Sequence, residues 1–328
     1  MVRILADSAI RSLLSLEELL PVIETAFVKQ GDGAVERPDR PHFPVGIGLD
    51  PDRPNEPLGT ALTMPAYIHG ADLVATKLVG VHEGNEARGL PTVNAGLVLT
   101  DARTGVPTAL LAANRLTNAR TGCIGGLAAR DLAVAPVKLG VIGAGTQARW
   151  QTRAIAAATD IDSVRIYAPS DSRVECANEL AAELDGPVSA VDSPRAAVEG
   201  ATVVVTATTA TEPVFPGEAL DPGCLVIAVG AYSADKRELD ATTFDRAATV
   251  FADVPSEVAG IGDLLAVELT EDDLVPFASV FTEGWGRMNE DAIIVVESVG
   301  TAVLDAAAAE HVYEQAAEAG VGTEVSLD

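Results

Sequence analysis

One stretch near the middle of the chain, residues 137–150 with the sequence VKLGVIGAGTQARW, restricts the possible fold more than any other. An apolar run suited to a buried strand leads directly into glycines, and a helical pattern follows. Gly143, Gly145 and Ala148 form the spacing G-x-G-x-x-A between these two elements. Gly143 permits a tight turn, Gly145 lets the backbone approach a ligand, and Ala148 lets the helix pack against the strand. The stretch therefore predicts a strand–turn–helix unit of an α/β fold.

The sequence around this unit supports the same fold class. From about residue 117, β-type runs alternate with helical stretches; the β-type runs are KLGVI, SVRIYA, PVSA, TVVVTAT, CLVIAVG and ATVFAD. Such alternation predicts a Rossmann-type, doubly wound parallel sheet with helices on both faces. In that setting the N–H groups of Thr146 and Gln147, at the start of the helix, are expected to bind the pyrophosphate of a dinucleotide.

The first third of the chain lacks this alternation. A capped helix is predicted from Ser15 to Gly31, and the β-type runs GTALTMPAYI, DLVATKLVGVH and TVNAGLVLTDARTGVPTALLAAN follow it. The end of the chain, ESVGTAVLDAAAAEHVYEQAAEAG, is predicted to form one long helix. We therefore predict a β-rich N-terminal domain (1–116), a dinucleotide-binding domain (117–285) and a C-terminal segment (286–328) that returns to the first domain.

The charge balance is strongly acidic, with 48 Asp and Glu residues against 22 Lys and Arg residues and a formal net charge of -26. Repulsion among so many carboxylates weakens a compact state unless salt screens it, which predicts a halophilic source. An ordinary acidic protein is the alternative. Nucleic acids and anionic membranes are not expected as partners, because both are negatively charged.

Cysteine and histidine spacing gives no sign of a metal site. Cys123, Cys176 and Cys224 lie far apart with no C-x-x-C pair, and the four histidines lack metal-ligand spacing. Charged residues interrupt the N-terminal segment, and no apolar run reaches membrane-spanning length. We predict a soluble cytoplasmic protein without a metal or a disulfide framework.

Two basic residues stand in surroundings that packing alone does not explain. Lys77 interrupts the apolar run DLVATKLVG, where its ammonium must find an anion or lose its proton. Arg120 lies among small residues in RLTNARTGCIGGLAAR, and its guanidinium suits a carboxylate. Both are therefore candidate catalytic or substrate-binding residues. The alternatives are a lysine that extends to solvent at a strand edge and an arginine paired with a nearby aspartate.

Cofactor preference depends on the residues that follow the next strand, which is expected to end near Tyr167. An NAD-selective fold usually places an acidic residue there, but here Ala168 follows Tyr167. Ser170, Ser172 and Arg173 could hold a 2′-phosphate, so the sequence favours NADP(H). The alternative is that Asp171 binds the ribose of NAD.

Seven motifs, in this order, resemble those of the ornithine cyclodeaminase/μ-crystallin family: MPAY, ATKLVG, LPTVNAGLVLTDARTGVPTALL, LTNARTG, GVIGAGTQA, AVGAYSADKRELD and ESVGTAVLD. The likeness extends over nearly the whole chain. The family includes ornithine cyclodeaminases, archaeal alanine dehydrogenases and ketimine or Δ1-pyrroline-2-carboxylate reductases. The resemblance implies that residues 1–116 bind substrate and form a homodimer, with the active site between the two domains.

The resemblance also implies roles for individual residues. Positions that match the family's catalytic and substrate-binding residues are Arg40 in RPDRPHFP (with Arg37 as the neighbouring alternative), Lys77, Thr92 in LPTVN and Arg120. Positions that match the residues around the nicotinamide are Val229, Gly230, Ser298 and Gly300. Asp305 matches a family acid whose role stays open.

One substrate-pocket position, Tyr232, departs from the cyclodeaminating branch, in which an aspartate handles the substrate amine. A tyrosine, with an ordinary pKa of about 10, cannot serve as an anionic partner for an amino group. The resemblance therefore implies an NAD(P)H-dependent reductase or dehydrogenase of small α-imino or α-keto acids, with Lys77 as the proton donor. The alternatives are an ornithine cyclodeaminase that retains NAD and a non-catalytic, crystallin-like binding protein.

Overall fold

A computed structural model describes residues 1–327, apart from the side chain of Glu86. The chain forms two compact units. Unit 1 comprises Met1–Arg120 and the segment from Ala302 onwards, and unit 2 comprises Thr121–Thr301. The predicted fold class is confirmed, with a β-rich first unit completed by the C-terminal helix and a Rossmann-type sheet in the second.

Unit 1 is built on a mostly antiparallel sheet. With strands numbered along the chain, its members are β1 (Val2–Leu5), β2 (Val35–Glu36), β3 (His42–Val45), β4 (Gly59–Ile68), β5 (Leu73–Val81), β6 (Val93–Asp101), β7 (Pro107–Ala112) and β16 (Thr323–Val325). They follow the order β16-β1-β7-β6-β5-β4-β2, and β3 also pairs with β4. The helices in this part of the chain are α1 (Asp7–Leu13), α2 (Leu16–Gly31), α3 (Ala113–Leu132) and α11 (Ala302–Glu318).

One face of this sheet carries the core of unit 1. Helix α11 contacts α2, β4 and β5, and α2 buries an apolar stripe that includes Leu19, Ile23 and Phe27. Residues alternate along β5, so that Ala75 and Lys77 are buried while Leu78 is exposed. This period-two pattern places Lys77 on the covered face of the sheet.

Unit 2 contains a parallel sheet in the order β10-β9-β8-β11-β12-β15-β13-β14. The strands are β8 (Val137–Ile142), β9 (Ile161–Tyr167), β10 (Val188–Ala190), β11 (Val203–Thr206), β12 (Leu225–Ala228), β13 (Ala247–Ala252), β14 (Val275–Pro276) and β15 (Ile293–Glu297). The helices are α4 (Thr146–Ala158), α5 (Ser172–Ala181), α6 (Pro194–Val198), α7 (Ala241–Arg246), α8 (Pro255–Val258), α9 (Gly262–Leu265) and α10 (Ser279–Thr282). The strand order reverses between β8 and β11, and in such sheets ligands bind beyond the carboxyl ends at this point.

The predicted domain boundaries differ from the division in the structure. The first boundary falls after Arg120 rather than after residue 116, within the same helix, α3. The second falls after Thr301 rather than after residue 285, because the apolar run IIVVE forms β15 between β12 and β13. The prediction that ESVG begins the last helix is wrong. Helix α11 begins at Ala302, after a turn in which Gly300 has a φ of +77°.

Two further observations concern the described part of the chain. Cys123, Cys176 and Cys224 are buried thiols. Within residues 1–327, every helix is too short or too polar to cross a membrane.

Candidate functional site

Unit 1 contains a buried cluster of one acid and two bases. Lys77 lies on β5, Arg120 on α3 and Asp305 in the first turn of α11, and they are 2%, 4% and 1% exposed. Lys77 Nζ donates a hydrogen bond to Asp305 Oδ2 over 2.6 Å, and Arg120 Nε donates to Asp305 Oδ1 over 3.1 Å. One carboxylate therefore holds both basic side chains in fixed positions.

Burial and positive charge tune the protonation of this cluster. Desolvation lowers the pKa of Lys77 to about 8, and the attraction of Asp305 opposes that shift, whereas Arg120 and Arg40 reinforce it. Burial alone would raise the pKa of Asp305, but Arg120 and Lys77 hold it below its ordinary value. The cluster thus contains an ionised carboxylate beside an amine that can gain or lose a proton near neutral pH.

One atom of the cluster indicates a missing anion. Arg120 Nη1 is buried and has no hydrogen-bond partner in the described part of the chain. A buried, charged N–H group without an acceptor is costly, and a guanidinium pairs especially well with a carboxylate. This atom therefore marks where the carboxylate of a ligand can bind.

The other two predicted residues of unit 1 lie in less buried positions. Arg40 is partly buried, just before β3, and its charge acts on Lys77. Thr92 is exposed, just before β6, and its carbonyl oxygen accepts a hydrogen bond from the N–H of His82 over 2.8 Å. The structure thus brings Lys77 and Arg120 together in direct contact with Asp305, with Arg40 near enough to influence Lys77.

The glycine turn of unit 2 connects β8 to α4. Gly143 has a φ of +118°, and a Cβ atom there would lie 2.4 Å from the carbonyl oxygen of Ala207. Gly145 is the N-cap of α4, and nothing lies within 4 Å of the position that its Cβ would take. Ala148 is fully buried against the sheet. The backbone thus requires glycine at position 143, and the space beside Gly145 is open.

This turn fits the pyrophosphate of a dinucleotide. A glycine N-cap has no side-chain acceptor, so no side chain caps the first N–H groups of the helix, such as that of Thr146, and a phosphate could accept from them. Gln147 follows in the same turn and is partly buried. The Arg149 guanidinium donates hydrogen bonds to the carbonyl oxygens of Ala144 and Gly145, which supports the turn from its other side.

The residues predicted to select the cofactor form a compact turn after β9. Arg173 Nη1 donates to the carbonyl oxygen of Ser170 over 2.9 Å and to that of Ala168 over 3.4 Å. Ser170 Oγ lies 2.7 Å from Ser172 Oγ. The side chain of Asp171 is 99% exposed. Arg173 and two hydroxyl groups therefore converge at the end of this strand.

Two buried carboxylates hold the loops that the sequence assigns to the nicotinamide. The N–H of Gly230, next to the partly buried Val229, donates to Glu238 Oε2 over 2.8 Å. Ser298 Oγ and the N–H of Gly300 donate to Asp253 Oδ2 over 2.6 Å and 2.7 Å. Both loops follow strands of the parallel sheet, at its carboxyl end.

A sequence profile of the Ornithine cyclodeaminase/mu-crystallin family matches residues 2–320. The chain belongs to this family. The resemblance that the motifs indicate is therefore confirmed. Among its relatives, the alanine dehydrogenase of Archaeoglobus fulgidus is 31% identical, over 99% of this chain and 98% of its own length.

Solved structures of other members resemble this ornithine cyclodeaminase/mu-crystallin family chain over its whole length. Thermococcus litoralis Δ1-pyrroline-2-carboxylate reductase, in complex with NADH and L-proline, matches with a TM-score of 0.91 and 32% identity over 99% of this chain and 100% of that one. An archaeal alanine dehydrogenase dimer with bound NAD matches with a TM-score of 0.90 and 28% identity, over 100% of this chain and 99% of that one.

Sequence reasoning identifies Asp305 only through the family resemblance and misses the other two acids that organise this family member. An acid in the first turn of a helix is favoured by the helix dipole, so the position of Asp305 gives no sign of a buried partner. Glu238 and Asp253 gave no signal, because charged residues in KREL and FADV are typical of solvent-exposed loops. Tyr232, in the loop after β12, is 50% exposed.

Proposed function

We propose that this protein is an NAD(P)H-dependent reductase or dehydrogenase of small α-imino or α-keto acids. The unpartnered, buried Arg120 Nη1 beside Lys77 carries this proposal, because it pairs a carboxylate-binding group with a proton donor. The sequence similarity to an alanine dehydrogenase and to a Δ1-pyrroline-2-carboxylate reductase supports the same reaction class.

In the reductive direction, Arg120 and Arg40 bind the substrate carboxylate, and the Lys77 ammonium donates a proton to the imine nitrogen or carbonyl oxygen. A nicotinamide cofactor, when bound, would supply the hydride for the reduction. Asp305 accepts a hydrogen bond from each of the two cations, one on each oxygen, which fixes the position of Lys77 Nζ. In the oxidative direction, neutral Lys77 accepts the proton instead.

We propose NADP(H) as the preferred cofactor. Ala168 at the end of β9 offers no carboxylate, while Ser170 and Arg173 offer two kinds of donor for a 2′-phosphate. The Thermococcus reductase was solved with NADH and the archaeal alanine dehydrogenase with NAD, so NAD(H) is the alternative. Dissociation constants for NADPH and NADH, measured by cofactor fluorescence, distinguish the two.

We also propose that the protein is a homodimer that works in a salt-rich cytoplasm. The face of the unit 1 sheet opposite its helices carries a row of residues in register across four strands: Ile4, Leu110, Val98 and Thr76. Ile4 and Leu110 are 38% and 44% exposed. Such an apolar sheet face favours a second copy as its partner, and the archaeal alanine dehydrogenase is described as a dimer.

A substrate panel at molar salt tests the proposed reaction. Consumption of NADPH or NADH with pyruvate plus ammonia, or with Δ1-pyrroline-2-carboxylate, is the expected result. Proline and ammonia produced from ornithine without net change in cofactor absorbance would instead identify a cyclodeaminase. Cofactor binding without turnover of any substrate in the panel would overturn the proposal in favour of a binding protein.

A further inference from the structure

Unit 2 buries four carboxyl groups that the proposed reaction does not use. Glu238, Asp253, Asp263 and Glu297 are each at most 1% exposed. Glu297 ends β15, and Asp253 directly follows β13. No group of three or more His, Cys, Asp or Glu residues that could hold a metal ion occurs in the described part of the chain. Buried carboxyl groups are costly unless hydrogen bonds or bound protons stabilise them.

Glu238 connects the segments that follow two neighbouring strands. Its Oε1 accepts a hydrogen bond from the N–H of Thr208 over 2.7 Å. Its Oε2 accepts from Thr206 Oγ1 over 2.9 Å and from the N–H of Gly230 over 2.8 Å. Thr206 ends β11, and Gly230 follows β12. Because all three partners donate, the carboxylate form of Glu238 satisfies them best.

Packing around Glu238 leaves no room for adjustment. A Cβ atom at Gly230 would lie 2.3 Å from the carbonyl oxygen of Thr208 and 2.5 Å from Glu238 Oε1. The N–H groups of Glu238 and Leu239 donate to Asp263 Oδ1 over 2.8 Å and 2.7 Å, which fixes the backbone that carries the carboxylate. The two loops and Glu238 thus form one closely packed assembly.

Glu297 differs from its neighbours because both of its oxygens are buried without a hydrogen-bond partner in the described part of the chain, as is Asp263 Oδ2. Burial, and then the charges of Asp263, Glu238 and Asp253, raise the pKa of Glu297 well above its ordinary value. Arg237 is the cation that acts on Asp263. Glu297 is therefore the member of the cluster that keeps its proton.

We propose that Glu238 is a positioning residue for the nicotinamide end of the cofactor, and that a neutral Glu297 allows Glu238 to carry its negative charge. This inference rests on the proposed function, together with the family resemblance, which implies that Val229 and Gly230 lie beside the nicotinamide. Glu238 acts through the loops after β11 and β12, which its carboxylate holds together.

The test compares two ligands that differ at the nicotinamide. Glu238→Gln places an amide N–H₂ against backbone or hydroxyl donors, so we expect the dissociation constant for NADPH to rise about tenfold, as for the loss of one charged hydrogen bond. The dissociation constant for 2′-phospho-ADP-ribose, which lacks the nicotinamide, should stay within about twofold of the wild-type value. NADH and ADP-ribose form the equivalent pair of ligands for NAD(H). Glu271→Gln, which removes an exposed charge from the same unit, is the matched control.

A pH series separates positioning from simple stabilisation. Burial raises the pKa of Glu238 to about 7, so wild-type affinity for NADPH should fall as pH drops through about 7, when protonation removes an acceptor. Thr206→Val removes one donor to the carboxylate without changing its charge, and it should move this midpoint to higher pH. This second variant keeps the test valid if Glu238→Gln does not fold.

Glu297→Gln tests the neutral acid. The affinity for NADPH and the midpoint of its pH dependence should both match the wild type. The infrared carbonyl band of a buried protonated carboxylic acid should disappear. A midpoint shifted to lower pH would show that Glu297 is ionised and overturn that part of the proposal. If Glu238→Gln weakened the binding of both ligands equally, Glu238 would have only a structural role. Failure of the wild type to bind either ligand would instead refute the proposed function.

Discussion

The ammonium of Lys77 lies between influences that act on its proton in opposite directions. Burial and the charges of Arg120 and Arg40 favour its release, while Asp305 retains it. The resulting pKa of about 8 lies close to the pH at which proton transfer in either direction is efficient. The protonation state of this one side chain should therefore control the rate in both directions of the reaction.

We expect opposite pH profiles for the two directions. Reduction needs the Lys77 ammonium, so its kcat/KM should fall as pH rises through about 8, whereas oxidation needs the neutral amine and should accelerate over the same range. Initial rates measured across this interval check the prediction. Lys77→Ala should abolish the pH dependence of both reaction directions over this range and reduce turnover at least about 100-fold. Turnover within a few-fold of the wild type would contradict the assigned role.

Removal of the carboxylate of Asp305 should affect both stability and the pH profile. Asp305→Asn leaves two buried cations without their anion, so we expect about 3 kcal/mol of lost unfolding free energy. The pKa of Lys77 should fall further, so the reductive kcat/KM should begin to fall at a lower pH. Denaturant unfolding and pH-rate profiles measure the two effects, with the exposed Asp162→Asn as control. If the pH dependence of reduction were unchanged in this variant, Asp305 would not influence the pKa of Lys77.

Among the elements, the turn between β8 and α4 separates two uses of glycine. Gly143 is required by the backbone, since its φ is +118° and the carbonyl of Ala207 occupies the space of a side chain. Gly145 has a φ of -85°, which any residue adopts, and open space beside it. The fold therefore requires the first glycine, whereas the second is not required by the backbone or by packing.

This difference predicts distinct effects of two alanine substitutions. Gly143→Ala should lower the free energy of unfolding by about 2 kcal/mol or more and also weaken cofactor binding, because the turn must shift. Gly145→Ala should leave stability within about 0.5 kcal/mol but weaken cofactor binding at least about tenfold, because the methyl group occupies the pyrophosphate's approach. Thermal unfolding and cofactor titration of both variants provide the comparison. A fully stable Gly143→Ala protein would refute the argument.

Local patterns predicted most strands of unit 2, because each is a short apolar run bounded by turn signals. Strand β15 was overlooked, since IIVVE stands directly before a helical pattern and was grouped with it. Lys77 was predicted as a candidate because a charge in an apolar run is conspicuous. Its partner could not be identified from spacing, because Asp305 lies 228 positions further along the chain.

The whole molecule carries a net charge of -26, and this charge should make its stability depend on salt. Local ion pairs such as Arg153 with Glu179 and Glu183 are attractive, but they are partly exposed and contribute little. Repulsion among the remaining carboxylates dominates, and it is screened over about 10 Å at 0.1 M salt and about 3 Å at 1 M.

We therefore expect the melting temperature to rise as KCl increases from about 0.1 M to about 1 M. NaCl should have a similar effect, because screening depends on ionic strength. Differential scanning calorimetry at several salt concentrations measures the change. A melting temperature that falls over this range would show that attractive ion pairs outweigh the net repulsion.

The proposed dimer predicts the effect of a charge on the exposed sheet face. Leu110→Glu introduces a carboxylate at the centre of the row from Ile4 to Thr76, so it should convert a dimer to a monomer. Leu49→Glu, in an exposed turn, should leave the assembly unchanged. Analytical ultracentrifugation distinguishes the two masses. A wild-type protein that sediments as a monomer would refute the proposed assembly.

The salt bridge between Lys77 and Asp305 has a consequence for the folding of the chain during its synthesis. A ribosome needs on the order of ten seconds or more to extend the chain by the 228 positions from Lys77 to Asp305. Until α11 is synthesised, Lys77 and Arg120 lack the carboxylate that pairs with them, and the strands of unit 1 lack this helix. A halt in translation before α11 would thus leave both cations without a carboxylate and the sheet without this helix, whereas completion of the last helix supplies one carboxylate to both and covers the sheet in one step.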